Sequence, residues 1–425
     1  MFNMFKKKEP VWSKVQSQLL YANYVVEDVY AACTSCYDNA KPDIDFFKKI
    51  EYITKRIKVG HDSVTEHGFV AMIISGLKAD DFWTLYSIQN IQNAAQYLRV
   101  YTSFMEDNTV NILIGGSIRG YRYLIRNIEE RRDPLYYEVI SVLQRSVVRE
   151  FFIDLEEQGY LGEEVYHNFL SVPDIKIVPD GTEYNDTVLF HEYICTEDRV
   201  DTRGIPEYCD KSRNRLSIID HPMSCEMDAI MNKAHEYGFL GHEVANMIPV
   251  NVLFENMSRT ATHQLVRHRN AITQESQRYV DYTQAPFTVP VNTDKKFKIS
   301  IFGTNKTMTL TELGEELCKI YGQLTNQGLK KEEARAFLPS NVQCKRLYMT
   351  FTIHSLIKFL QLRTDPHAQL EIREYATSLK NLIFDPATQE MNNYFKYIIE
   401  MDDDKRLELT KLLMELNPNL LEETE

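Results

Sequence analysis

The sequence predicts an α+β protein laid out twice along one chain. Amphipathic helices with a 3.6-residue period alternate with short apolar strand runs on both sides of a patternless middle. The order loop, strand, helix occurs once in each half, which reads as a fused duplicate. The length of 425 residues is ample for two such units with substantial cores.

In chain order, residues 15–30 and 43–58 carry apolar side chains at helical spacing, the second with Phe46, Phe47, Ile50, Ile53 and Ile57 on one side. Gly60 stands where a left-handed glycine closes a helix. The polar loop Gly60-His61-Asp62-Ser63-Val64-Thr65-Glu66-His67 precedes a strand at 69–74. Its two histidines suit capping and core roles as readily as ligand contacts. A helix through Leu85, Ile88, Ile91, Ala95 and Leu98 follows, then Gly115-Gly116-Ser117-Ile118-Arg119. Past Asp133-Pro134 a further amphipathic helix carries Val139, Ile140, Leu143, Val147, Phe151 and Leu155.

Residues 158–215 are punctuated by glycine and proline and read as a connector with short strands such as 187–194. The expected units are therefore a first half at 1–160, a connector at 161–215 and a second half at 216–425. The second half restarts the plan with a helix (Met227, Ile230, Met231, Ala234), the loop 235–242 and an alternating strand (Ile248, Val250, Val252, Phe254). A helix at 258–266, a hairpin at 287–303 and a helix at 310–327 follow, and the acidic tail from Asp402 reads as a solvated amphipathic helix.

The net charge of −13 excludes a broad basic surface, so non-specific nucleic-acid binding is not expected. No apolar run reaches membrane-spanning length, and the first ten residues lack the apolar core of a signal peptide. The seven cysteines are scattered; only Cys33-Thr34-Ser35-Cys36 brings two close, without a second pair or a histidine at ligand spacing. Reduced thiols, a cytoplasmic location and no metal site are the expectation.

One stretch concentrates positive charge in this acidic chain. Arg267-His268-Arg269-Asn270-Ala271-Ile272-Thr273-Gln274-Glu275-Ser276-Gln277-Arg278-Tyr279 holds three arginines, a histidine, a serine and a tyrosine in thirteen residues. Helical spacing in the lead-in sets His263, Gln264 and Arg267 on neighbouring ridges. Beyond Arg269 the helical period is lost, so Ser276, Arg278 and Val280 are expected to point one way from extended backbone. A guanidinium beside a hydroxyl suits a phosphate monoester. Arginine-rich helix ends are as a rule solvated or paired with carboxylates, so charge alone leaves phosphate binding open. A nucleophilic serine needs a positioned base, and the Gln, Glu and Arg beside Ser276 suit holding an anion better. His263 reads as a packed helix residue.

Arg-His-Arg, a short spacer and Ser-x-Arg-Tyr together resemble the signature of the flavin-dependent thymidylate synthases, which make dTMP from dUMP using reduced FAD and methylenetetrahydrofolate. The spacer here, Asn270 to Glu275, is six residues where the family has seven. Further landmarks resemble the family's in its order: Ala31-Ala32 in an early helix, Gly-His-x-Ser-Val-x-Glu-His, Ala334-Arg335-x-x-Leu338-Pro339 and Leu360-x-Leu362-Arg363…His367-Ala-Gln-x-Glu371-Ile372. Ser117-x-Arg119 and Thr352-x-His354 stand where the family has Asn-x-Arg, and Gly241 stands where the first half has Glu66.

The resemblance implies two tandem copies of an antiparallel-rich sheet flanked by helices. It implies dUMP held by Gln264, Gln274, Ser276, Arg278, Arg335 and Arg363, with Arg363 as the catalytic cation that polarises the uracil ring. It implies FAD and folate against Arg267, His268 and Arg269, with His67, Ser117, Arg119 and His242 as flavin contacts and NADPH as reductant. The first half keeps the loop and Arg119 but lacks Arg-His-Arg, and the second keeps the signature. One composite site per pair of halves, in a homodimer that mimics a tetramer, is therefore expected. The alternatives are a related flavin and folate enzyme acting on another pyrimidine nucleotide, and a non-catalytic flavin- or nucleotide-binding paralogue.

Overall fold

The chain enters as a strand where helical spacing predicts a helix. In the structure, a computed structural model, residues 16–22, 25–37, 44, 46–93, 97–129, 208–209, 215–220, 224–287, 295–301, 303–384, 389–401 and 408–421 are described. β1 (Gln16–Ala22) pairs antiparallel with β2 (Phe69–Lys78), from Gln16 opposite Ser75 to Ala22 opposite Val70. The helical pattern belongs to α1 (Val25–Tyr37), just downstream. Pairing against the apolar strand β2 overrides the local period of the segment before it.

α2 (Phe46–Lys58) ends as expected at Gly60, whose φ of 87° lets the amides of Gly60 and His61 reach back to Ile57 O and Arg56 O at 2.9 and 3.0 Å. A 3-10 turn (Asp62–His67) leads into β2. α3 (Phe82–Asn93) stops before Leu98, which opens β3 (Leu98–Phe104) and does not prolong the helix. β4 (Thr109–Ser117) and α4 (Ile118–Glu129) follow directly. The first sheet has the order β1-β2-β4-β3, antiparallel throughout.

The second half repeats that order. Its elements are β5 (Tyr208–Cys209), β6 (Arg215–Asp220), α5 (Ser224–Glu236), α6 (Gly241–Val244), β7 (Pro249–Ser258), α7 (Arg259–Leu265) and β8 (Ala271–Gln274). The hairpin of β9 (Phe297–Ile301) and β10 (Thr304–Met308), then α8 (Leu310–Asn326) and α9 (Lys331–Ala334), precede β11 (Gln343–Thr352) and α10 (Ile353–Arg363). The sheet runs β5-β6-β7-β11-β8, so without β5 it matches the first sheet strand for strand. α11 (Leu370–Ile383), α12 (Gln389–Met401) and α13 (Glu408–Leu416) complete the chain. The helix expected at 139–155 and the strands at 187–194 lie outside the described residues.

One apolar core joins the halves. Ala71, Ile73 and Leu113 of the first sheet belong to the same buried cluster as Val250, Val252 and Phe254 of β7 and Phe351 of β11. Each fully buried side chain of this size contributes about 1.5–3 kcal/mol. The tail is not merely solvated: Leu409, Leu412, Leu413 and Leu416 of α13 are buried in this core, one side of an amphipathic helix. Among the described residues no helix is long and apolar enough to cross a membrane.

Each half offers the other a loop. His67, fully buried before β2, reaches into the second sheet, its Nδ1 and Nε2 lying 2.8 and 2.9 Å from the hydroxyls of Thr350 and Thr273. In return Met247, before β7, packs on Gly115 of β4 so closely that a Cβ there would collide with its Sδ. Nearby, Asn246 Nδ2 donates to Tyr101 Oη at 2.8 Å.

Candidate functional site

The signature begins where β7 turns into α7. Ser258 caps the helix, its Oγ accepting from the Ala261 amide at 3.1 Å. The buried carboxylate of Glu371 receives the Ser258 amide at 2.7 Å and its hydroxyl at 2.5 Å. Glu371, the acid of His-Ala-Gln-x-Glu-Ile, thus fastens the start of the signature helix. Burial raises its pKa and the Ser258 bonds oppose that rise.

α7 ends at Leu265, a 3-10 turn spans Val266–His268, and Arg269 at φ 54° reverses the chain into β8. Non-glycine residues rarely occupy this left-handed region, so the turn carries a conformational cost. β8 lies on the sheet edge beside β11, Thr273 opposite Tyr348 and Gln274 opposite Leu347. Beyond it the backbone does not stay extended: the amides of Tyr279 and Val280 both donate to Ser276 O, at 3.1 and 3.0 Å. Within that turn the Arg278 amide donates to Ser276 Oγ at 3.3 Å, while the Arg278 side chain pairs with Glu332. The extended backbone that was to aim the two side chains together is absent.

A cleft of about 500 Å³ opens beside β8. The second half lines it with Arg259, His263, Gln274, Glu275, Ser276 and Arg335, and the first half with Cys36, His61 and Ser63. The two halves also meet through the backbone here, because the Ser276 amide donates to Cys36 O at 3.0 Å. Arg259 is nearly buried at the cleft's base, where its Nη2 donates to Glu275 O and, at 2.7 Å, to Tyr282 Oη. Tyr282 in turn donates to Glu275 Oε1, and burial pushes its pKa up, so it stays a phenol. Among the described residues, Gln274 Oε1 and Arg259 Nε are buried without a hydrogen-bond partner. Such groups are costly unless something else meets them.

The expected site residues fall into separate groups. Gln274, Ser276 and Arg335 meet in the cleft. Arg278 is exposed and paired with Glu332 at 3.2 Å, outside the cleft's lining. Gln264, His268 and Arg363 form a second cluster: Arg363 donates through Nε to His268 Nε2 at 2.8 Å and through Nη1 to Gln264 Oε1 at 3.3 Å. Arg267 lies close enough to lower the Arg363 pKa, after burial, while Arg269 forms the exposed turn. Among the described residues none of Arg267, Arg269, Arg335 and Arg363 is paired with a carboxylate.

Of the first-half residues expected to touch flavin, His67 and Ser117 are buried and Arg119 is half-buried. His67 sits between two threonines, and burial holds its pKa down to about 3. Thr350 gives its own proton to Asn251 Oδ1 at 2.5 Å, so Nδ1 of His67 donates and Nε2 accepts. Ser117 is buried and accepts the Gly120 amide at 3.3 Å. Arg119 is bound to Glu66, lies 3.4 Å from Asp62 and stacks 4.7 Å over Tyr97. It braces the loop that supplies Ser63 to the cleft. His242 is at the other contact between halves, near His354.

Three cleft residues were given no site role by the sequence, and a fourth was placed differently. Arg259 follows a helix-capping serine, a position that reads as solvated until its burial is known. His61 and Ser63 lie in the quoted loop, where only His67 was singled out. His263, expected to be packed, is exposed and faces the cleft. Cys33 and Cys36 are free thiols; burial pushes Cys33 up to about 12 and also raises Cys36, so the thiol at the cleft wall stays protonated.

Comparison with known proteins gives this arrangement a family. Residues 197–386 match the family model described as thymidylate synthase complementing protein. The flavin-dependent thymidylate synthase of Geobacter sulfurreducens is 32% identical over 176 residues, covering 41% of this chain and 69% of that protein. Those of Pyrococcus furiosus and Pyrococcus abyssi are 35% identical over 142 residues and 36% over 152, covering 32% and 34% of this chain. The match spans only 55% and 59% of these two relatives' lengths.

Proposed function

This chain belongs to the flavin-dependent thymidylate synthase family, and from that premise we propose that it converts dUMP to dTMP with FAD, methylenetetrahydrofolate and NADPH. The observation that carries the reading is the cleft at β8, where Gln274, Ser276 and Arg335 converge with an unmet buried acceptor. The Ser276 hydroxyl and Arg335 guanidinium hold the phosphate, and Arg259 adds positive charge from below. Gln274 offers a carbonyl acceptor and an amide donor, which matches the N–H and C=O edge of a uracil ring. The family resemblance gives Arg363 the role of a fixed cation where negative charge develops on that ring. Because it lies in the second cluster, outside the cleft's lining, this role requires the ring to extend from the cleft toward Gln264.

Arg267 and Arg269, free of carboxylates among the described residues, suit an anionic cofactor, and His268 lies beside them. Reduced FAD, when bound, supplies the reducing equivalents that turn the transferred one-carbon unit into a methyl group. Cys36 is a poor candidate for attack on the ring, because its thiol is held protonated.

The repeated strand order supports a duplicated chain, and the joint lining of the cleft supports a composite site in which the first half closes over the second half's signature. Two such chains in a homodimer, working in the cytoplasm, complete the reading. Purified protein should carry the yellow colour of FAD, and NADPH oxidation should rise with dUMP. Colourless protein that takes up no FAD leaves the non-catalytic paralogue. The Arg278–Glu332 pair favours a second reading, a relative acting on another pyrimidine nucleotide. Stimulation by UMP or CMP in preference to dUMP selects it.

A further inference from the structure

His268 stands apart from the cleft, half-buried, with its ring edge-on to Phe359 at 5.1 Å and 79°. Because Arg363 donates through Nε at 2.8 Å, His268 Nε2 is an acceptor and the ring carries its proton on Nδ1. The next link is also neutral: Gln264 Oε1 accepts from Arg363 Nη1, and Gln264 Nε2 donates to Gln369 Oε1. Nη2 of Arg363 makes no hydrogen bond among the described residues. A carboxylate at this position would hold the guanidinium more strongly but would cancel its charge. Neutral acceptors fix its plane and leave the charge for a ligand.

We infer that His268 is a positioning residue, which as a neutral imidazole holds Arg363 in the orientation that polarises the pyrimidine. This rests on the reading of Arg363 given above. The charged group facing the ring is Arg363 from α10, Phe359 lies edge-on to it, and a second cation, Arg267, lies near Arg363. Protonating Nε2 removes the acceptor and sets a third positive charge against two others. Burial, then Arg363, holds the imidazole's pKa down to about 4, so the arrangement persists through neutral pH.

The test uses the holoprotein, with kcat, the KM for dUMP and equilibrium dUMP binding by calorimetry measured from about pH 3.5 to 8. His268→Leu should lower kcat about tenfold with a smaller change in dUMP affinity, the size expected for losing one hydrogen bond to a charged group. His268→Gln, which keeps a neutral acceptor, should recover most of kcat. It should also lack the fall in kcat that the wild type shows as pH drops below about 5. Thermal unfolding of each variant separates loss of fold from loss of orientation. A His268→Leu kcat within twofold of the wild type, or Gln and Leu variants equally impaired at unchanged stability, overturns the inference. Arg363→Ala is the separate arm. Wild-type kcat there removes the role of Arg363 itself, whereas a loss there beside an unaffected His268→Leu removes only the positioning role.

Discussion

At one seat between the halves an imidazole lies between two hydroxyls; at the other a thioether lies against a bare glycine. The seats correspond through the strand pairing. Ser117 and Thr352 each end the last strand of their sheet, so Gly115 answers to Thr350. Arg99 pairs with Gly115 as Ala271 pairs with Thr350, which makes Tyr101 the counterpart of Thr273. Counting on, Phe104 answers to Ser276 and Glu106 to Arg278. Where the second half has the Ser276 hydroxyl the first has an exposed phenylalanine, and where it has Arg278 the first has an acid. The two halves share a strand order and not the side chains at these positions, because a sheet needs only its pattern and pairing, whereas anion binding needs particular side chains.

The largest expected effect tests that asymmetry. Arg335→Ala removes a guanidinium from the cleft and should raise the KM for dUMP about thirtyfold, the loss of a charge-assisted contact of about 2 kcal/mol. Phe104→Ser, on the corresponding strand of the first half, should leave it within twofold. Equal losses from the two changes would break the comparison.

Next come the seats themselves, read by denaturant unfolding. His67→Ala takes away the acceptor of the Thr273 hydroxyl and opens a cavity, costing about 3 kcal/mol. Gly115→Val forces its side chain into Met247 and should cost about 2 kcal/mol, partly recovered when Met247→Ala makes room. Additive losses in the Gly115 and Met247 pair would mean that this contact does not couple the halves.

Acid sharpens the contrast, because His67 is itself one seat's contact whereas Met247 and Gly115 do not titrate. His67 has its pKa lowered to about 3, and His268 and His354 theirs to about 4, all by burial foremost. Below the ordinary value near 6.5 the unfolded chain gains protons that the folded chain refuses, so stability falls from there down toward pH 4. His67→Met, copying the other seat, should flatten part of that decline. An unchanged acid limb would mean that His67 is not what resists protonation.

Much of the plan was legible because periodicity reports burial. β2, α5, β7, α7 and α8 lie where spacing sets them, and Gly60 closes α2 for the conformational reason expected. β1 was misread because pairing with β2 outweighs its local period, and the α13 leucines because an amphipathic helix does not disclose what covers it. In the cleft, Gln274, Ser276 and Arg335 were legible as polar groups in signature segments. Arg259, His61 and Ser63 were not, since their role depends on which segments the fold brings together. The direction of Arg278 was lost for a local reason: two amides closing on Ser276 O turn the chain where extended backbone was expected.

The smallest effect concerns that arginine. Arg278 and Glu332 are each about half exposed, at 51% and 41%, so their ion pair is screened and adds less than about 1 kcal/mol to stability. Arg278→Ala should therefore barely move the unfolding midpoint. Its effect on nucleotide binding separates two geometries. If the pair persists when dUMP binds, the KM rises less than about threefold, and Arg259 and Arg335 carry the phosphate alone. If the side chain swings from Glu332 into the cleft, the KM rises about as far as in Arg335→Ala. Glu332→Ala then lowers the KM, because it frees the guanidinium that the acid holds back. A Glu332→Ala variant with unchanged KM, beside an Arg278→Ala variant with a large increase, would rule out competition between the acid and the nucleotide for the same arginine.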